Sequence, residues 1–363
     1  MSNSLGTLFR VTSFGESHGE CVGVVIDGCP AGVQLSRECV QEELDRRRPS
    51  GQPGATSRRE PDNARILSGV LEDHTTGAPI CMLVENTNAD SEAYARIADI
   101  PRPGHADYPA GVKYGGLNDP RGGGRFSGRI TAGFVMAGAV AKAVLANVGV
   151  EVFAHTVQIG RVRAAEMGVE SARASCRMNS LSCCDGTAAV AMEREIEEAR
   201  ADGDSVGGVI ECVATGLPVG IGEPVFSTVD GEIARALFAI PAVKAVEFGG
   251  GFGLSAVRGS QANDSFAIEG DRVVTTKNDA GGILGGLTTG MPVVVRAAIK
   301  PTASVSLQQK SVNLKTLQDA ELTVSGRHDA CIVPRAVVVV EAMVAVTLCD
   351  LGLQGGLISG CAK

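Results

Sequence analysis

The sequence has no tryptophan, only three tyrosines and a formal net charge of -8. It therefore lacks both the stacking aromatics and the basic face expected of a nucleic-acid binder. Its 11 cysteines include no CxxC pair. With no secretory leader at the N-terminus, they read as reduced, mostly buried thiols of a cytoplasmic protein. The adjacent Cys183 and Cys184 are poorly placed to chelate one ion together, and no metal site is expected. No uninterrupted apolar run is long enough for a membrane span. The stretch from Ile332 to Cys349 is broken by Pro334, Arg335 and Glu341 and reads as a buried helix. The Lys-Ser/Thr of a P-loop and the spacing of a dinucleotide fingerprint are missing too.

What is present begins with 363 residues, 44% of them hydrophobic, enough to fill one large domain or two fused halves. The basic residues cluster. Arg46, Arg47 and Arg48 are followed by Arg58 and Arg59 across a Gly/Pro loop that could close over a ligand, and Arg121, Arg125 and Arg129 form a second group. Such grouping suits a small polyanion better than a polymer.

Three pairs of matched blocks recur in the same order. "GESHGECVGVVIDGCPAGV" from Gly15 matches "GDSVGGVIECVATGLPVGI" from Gly203, and "ILSGVLEDHTTGAPICMLV" from Ile66 matches "ILGGLTTGMPVVV" from Ile283. "SGRITAGFVMAGAVAKAVLANVGV" from Ser127 matches "SGRHDACIVPRAVVVVEAMVAVTLCDLGL" from Ser325. This implies a single domain over 1–363 built from two repeats, 10–152 and 200–353, with a less regular connector at 153–199. In the connector, "MEREIEEARADGDS" reads as a solvated helix ending at Gly203. The glycine-bounded, β-branched stretches "VGVVIDG", "GGVIECVATG", "APICMLVEN" and "MPVVVRAAIK" read as strands. "TAGFVMAGAVAKAVLANVG" is apolar nearly all round, as a helix buried on every side must be. Helices sandwiched between sheets, an α+β fold, is the economical arrangement.

The duplication separates folding residues from reactive ones. His18 aligns with Val206, so the fold does not demand an imidazole there. Ser17 and His18 are bracketed by Gly15 and Gly19, and His105 sits beside Gly104 with Arg102 near. These are the two histidines in functional contexts; His74, His155 and His328 read as structural or solvated. The loop "RGGGRFSGR" delivers Ser127 and Arg129 to a helix start, where free N–H groups favour an anion, and the second copy, "SGRHDAC", adds Asp329. A phosphotransferase would need a P-loop lysine and a metal-binding carboxylate by the glycine loop, and neither is evident. A sensing module would leave the paired histidines unexplained.

At "GESHGECVGVVIDGCP", "GGGRFSGRITAGFVMAGAVA" and "RHDACIVPRAVVVVEAM", supported by "RPGHADY", "AVKAVEFGGGF", "AGGILGG" and "KPTAS", the chain closely resembles the chorismate synthase family of the monofunctional bacterial type. The resemblance implies an internally duplicated sandwich of helices between antiparallel β-sheets, usually a homotetramer. It also implies conversion of 5-enolpyruvylshikimate 3-phosphate to chorismate and phosphate by anti-1,4-elimination, with reduced FMN supplied by an external reductant. It further implies that His18, beside Ser17, protonates the departing phosphate, that His105 faces the flavin, and that Asp329 relays the substrate proton by way of flavin N5. Arg47, Arg102, Arg129 and Arg327 would clamp phosphate and carboxylates. Flavin contacts would come from Arg125, Phe126, Ser127, Pro241, Ala242, Gly285, Lys300, Pro301, Thr302, Ala303, Ser304 and Arg327. The chain departs from the family pattern at Phe126, where many relatives carry serine, and at Pro53, where an arginine is usual and Arg58 or Arg59 would substitute.

Overall fold

The computed structural model describes residues 3–48, 61–87, 99–324 and 329–361. Among the described residues, ten strands form two five-stranded antiparallel sheets, and the other short strands pair as four two-stranded ribbons. The first holds β1 (Ser4–Leu5), β2 (Arg10–Gly15), β3 (Cys21–Asp27), β4 (Arg65–Ser68) and β5 (Ile80–Glu85), in the order β1-β2-β3-β5-β4. The second holds β6 (Glu151–Ile159), β7 (Val162–Arg163), β8 (Gly208–Thr215), β9 (Val243–Phe248) and β10 (Val293–Ile299), in the order β9-β10-β8-β6-β7. All four stretches read as strands from their β-branched content are strands.

The principal helices are α1 (Arg37–Arg47), α2 (Asp107–Tyr114), α3 (Thr131–Ala146), α4 (Gly186–Ala201), α5 (Val229–Phe238) and α6 (Val333–Gln354). Helix α3 lies on β3 of the first sheet, α6 lies on β6 and β8 of the second, and the two helices pack on each other. Helices between antiparallel sheets is therefore the observed architecture. Two glycines of α3 allow the closeness of its two contacts. A Cβ on Gly133 would stand 2.9 Å from the Gly23 carbonyl oxygen, and one on Gly138 only 2.2 Å from the Ala342 Cβ. Both apolar helices are long enough to cross a bilayer, yet the α6 window is 94% buried inside the protein. Pro334 opens α6, where its missing N–H costs nothing.

Residues 153–199 differ from the expected irregular connector, because most of β6 lies there and runs between β7 and β8 in the second sheet. Its central residues are buried without alternation, which hides the two-residue period of a half-exposed strand. Helix α4 begins at Gly186, before the stretch from Met192 that reads as helical, with Asp185 capping it by accepting from the N–H groups of Thr187 and Ala188. Asp202 closes it, and Gly203 follows with a φ of 71°. All 11 cysteines are free thiols. Burial pushes those of Cys29 and Cys331 up to about 12.

Two carboxylates tie the layers together. Asp350, near the end of α6, accepts the backbone N–H groups of Thr7, Leu8 and Phe9 at 2.7–3.0 Å. Glu341, fully buried at the middle of α6, accepts from Arg46 of α1 at 2.8 and 2.9 Å, from Lys142 of α3 at 2.7 Å and from the Ala154 N–H of β6 at 3.2 Å. Arg46 is therefore a structural cation, held also by Glu43 at 2.8 Å. Burial alone would raise the Glu341 carboxyl, but Lys142 and Arg46 outweigh it and hold the group at about 2, below its ordinary 4.5. Because the folded value is depressed, the charge contributes stability fully present above about 4.5 and lost as pH falls towards about 2. We expect Glu341→Gln to melt well below the parent at neutral pH, with the gap narrowing through that acid window. A gap that stays constant on acidification, in thermal melts followed by circular dichroism, would contradict this account.

Candidate active site

The glycine run Gly122–Gly124 is the hinge of the site. All three residues have positive φ, at 59°, 83° and 52°. A Cβ on Gly122 would stand 2.4 Å from the His18 ring and 2.9 Å from the Ser17 hydroxyl, while one on Gly123 would stand 3.1 Å from the His105 ring. The loop thus runs against both singled-out imidazoles, and only residues without side chains allow it. The Ser17 N–H donates to the Gly124 carbonyl at 3.3 Å, fastening the His18 loop to the same backbone. His18 is 7% exposed.

A second group is built on the start of α2. The Asp107 carboxylate takes two parallel bonds from the Arg102 guanidinium, both at 2.8 Å, and lies 2.5 Å from His105 Nδ1. Burial works to raise this carboxyl, but the bonds from Arg102 and His105 prevail and hold it far below the usual range. Arg102 also donates to Ser304 Oγ at 3.3 Å, and Lys300 Nζ donates to the Gly104 carbonyl at 2.9 Å. Burial first, then the charge of Lys244, lowers the Lys300 ammonium. The loop from Lys300 through Pro301, Thr302 and Ala303 to Ser304 therefore lies against the His105 loop. Thr302 Oγ1 in turn donates to the Asp329 carbonyl at 3.0 Å.

The third group is a buried knot. Arg47, 4% exposed, donates to Thr131 Oγ1 and to the Gly128 carbonyl, each at 2.9 Å, and to Asp62 at 3.2 Å. Arg129, 9% exposed, also bonds Asp62, and donates to Asn86 Oδ1 at 2.8 Å. Asn86 then donates to the carbonyls of Glu16 and Gly19 at 3.0 and 2.8 Å, so the knot reaches the loop of His18. Asp329 is bonded by Arg335, whose Nε donates to the Arg47 carbonyl at 3.0 Å.

His18, Ser17, His105, Arg102, Arg47, Arg129, Lys300, Thr302, Ser304 and Asp329 thus belong to one connected set. Other expected site residues lie at its margins or outside it. Arg125 donates to the Gly15 carbonyl at 2.9 Å and to Asn3 at 3.1 Å, and with Phe126 it lines a cavity of about 900 Å³ that also touches Gly15 and Glu16. Ser127 has its hydroxyl engaged in capping the turn before α3, accepting from the Arg129 N–H. Ala242, next to Pro241, adopts a φ of 73°, a left-handed conformation unusual for a residue with a side chain, and its carbonyl accepts the Lys300 N–H at 2.9 Å. Gly285 has a φ of 59° in a tight hairpin, with open space where a Cβ would be. Arg327, His328, Pro53, Arg58 and Arg59 lie outside the described residues. His155 and His74 sit in other surroundings: His155 is buried 3.5 Å from Glu211, and His74 is exposed with its ring against the Glu72 carbonyl.

Sequence reasoning overlooked Asp62, Asn86, Asp107 and Arg335. Asp107 had a readable signal, a carboxylate two residues after His105; the others are joined to their partners only by the fold.

Residues 9–353 match the family model described as chorismate synthase. The chain is 53% identical over 358 residues to a chorismate synthase of Dehalococcoides mccartyi, covering 99% of this chain and 98% of the other. It is also 53% identical over 357 residues to one from Methanocella arvoryzae, covering 98% and 96%. A crystal structure of a chorismate synthase superposes with a TM-score of 0.74 at 31% identity, over 96% of this chain and 93% of its own. With the family's motifs, its fold and its relatives in agreement along nearly the whole length, the chain belongs to the chorismate synthase family, lyases of the shikimate pathway.

Proposed function

We propose that the protein eliminates phosphate from 5-enolpyruvylshikimate 3-phosphate to give chorismate, with reduced FMN as cofactor. The observation that carries this reading is the meeting of two imidazoles, His18 and His105, on one glycine loop, with Arg102 alongside. The donors nearby, Lys300 and the Ser304 hydroxyl, suit a flavin phosphate and an anionic ring, and the side-chain-free edge at Gly104 leaves room for them. Lys300 to Ser304, Ala242 and His105 would hold FMN, which in its reduced form supplies the electron density that helps break the C–O bond. His18 delivers a proton to the departing phosphate, Arg102, held in place by Asp107, sets a positive charge beside an anionic group, and Asp329 accepts the ring proton. The Gly122–Gly124 backbone packs against both imidazoles and helps bury His18.

The two-repeat organisation belongs to the same reading. In its support, β3 pairs with β5 and precedes α3, just as β8 pairs with β10 and precedes α6. A homotetramer would cover apolar surface such as Phe266 and Ile268, which are 68% and 74% exposed. The reductant is a separate donor, and the reaction belongs in the cytoplasm. Mixing the pure protein with substrate and FMN, with and without dithionite, tests the function. Phosphate release only in the reduced sample is expected; release without reductant, or none with it, would overturn the proposal.

A further inference from the structure

We infer that Asp107 is a positioning residue for the reaction, joining Arg102 and His105 into one unit and fixing which imidazole nitrogen is turned to the glycine loop. The inference rests on the role proposed for His105 and deepens it. Asp107 Oδ2 accepts the backbone N–H and Nε of Arg102 at 3.0 and 2.8 Å, while Oδ1 accepts Arg102 Nη2 at 2.8 Å and meets His105 Nδ1 at 2.5 Å. Both oxygens are thus committed, and neither ring nor guanidinium can turn without breaking bonds to the other.

The tautomer follows from which neighbour Nδ1 answers to. Arg102 Nη2 lies 3.1 Å from Nδ1 and can only donate, so it would call for a lone pair there. The carboxylate can only accept, so it calls for a proton. Its contact is the shorter, and Nη2 already donates to the same carboxylate. The proton therefore belongs on Nδ1, and Nε2 keeps its lone pair, 3.4 Å from Arg102 Nη2 and beside Gly123, where a Cβ would stand 3.2 Å from it. The charged groups around the ring are Arg102, Asp107 and Lys300, the last held on the neighbouring Gly104 carbonyl. Among the described residues, Asp107 is the one carboxylate in contact with the imidazole. An acidic residue in the first turn of α2 would also favour the helix on its own. That role alone would leave the imidazole tautomer untouched.

The test is nitrogen NMR of the protein labelled with ¹⁵N-histidine, at alkaline pH where the rings are neutral, with the His105 signals identified by their loss in His105→Gln. In the parent, His105 should carry its proton on Nδ1. In Asp107→Asn, whose amide can donate to Nδ1, the proton should move to Nε2, and kcat with reduced FMN should fall by about 10²- to 10⁴-fold. A parent ring protonated on Nε2 overturns the inference without any variant having to fold. So does a folded Asp107→Asn whose tautomer or kcat is unchanged. Parental turnover in His105→Gln would instead remove the underlying role of His105, whatever the tautomer proves to be.

Discussion

Replacing His18 by alanine should leave a folded protein that turns over about 10²- to 10⁴-fold more slowly, the range expected when a positioned proton donor is lost. The expectation joins two observations. The imidazole lies against the backbone of Gly122, where a side chain would collide with it, so the site is shaped around this ring. The matched position in the second block is Val206, which precedes β8 as His18 precedes β3, so neither strand depends on an imidazole. Anaerobic phosphate release with reduced FMN gives the rate, and thermal melting gives the fold. Near-parental turnover, or a variant that no longer folds, would remove His18 from the proposed chemistry.

The largest loss of stability should come from Asp62→Ala. Asp62 is 2% exposed and is the carboxylate between Arg47 and Arg129, themselves nearly as buried. Removing one member of a buried ionic group leaves the others charged and uncompensated, at a cost of about 3–5 kcal/mol. Urea unfolding of parent and variant measures it. Asp62→Asn should lie between the two, since the amide keeps an acceptor but not the charge. An unchanged midpoint in Asp62→Ala would mean that the arginines are balanced elsewhere and that Asp62 is not the centre of the knot.

Much of the fold was legible because its core elements are extreme in composition. Helices α3 and α6 are apolar nearly all round, and such a helix has to be covered on most sides, which sheets on both flanks accomplish. Strand β6 escaped detection for the opposite reason: burial on both faces erased its alternation, while His155 and Gln158 made it look polar. The paired histidines could be found because glycines flank them in the sequence and the glycine loop faces them in space. The carboxylate partner of the buried arginines could not. Asp62 is 15 residues from Arg47 and 67 from Arg129, and no local pattern relates them. The expected role of Arg47 and Arg129 as substrate clamps must therefore accommodate a carboxylate that already holds both.

The contact between Asp350 and the backbone of Thr7 to Phe9 also bears on the order in which the protein comes into being. The acceptor of these N–H groups lies 341 to 343 residues further along the chain, so it is made long after them. The first sheet likewise awaits α6, which covers the inner side of α3. Pairings so distant along the chain make folding slow, because much of the loop entropy must be lost before the contacts form. A nascent chain halted before Asp350 would carry His18, His105 and the glycine loop, and β2 could already pair with β1 and β3, but the carboxylate that fastens Thr7 to Phe9 would be missing until α6 is made.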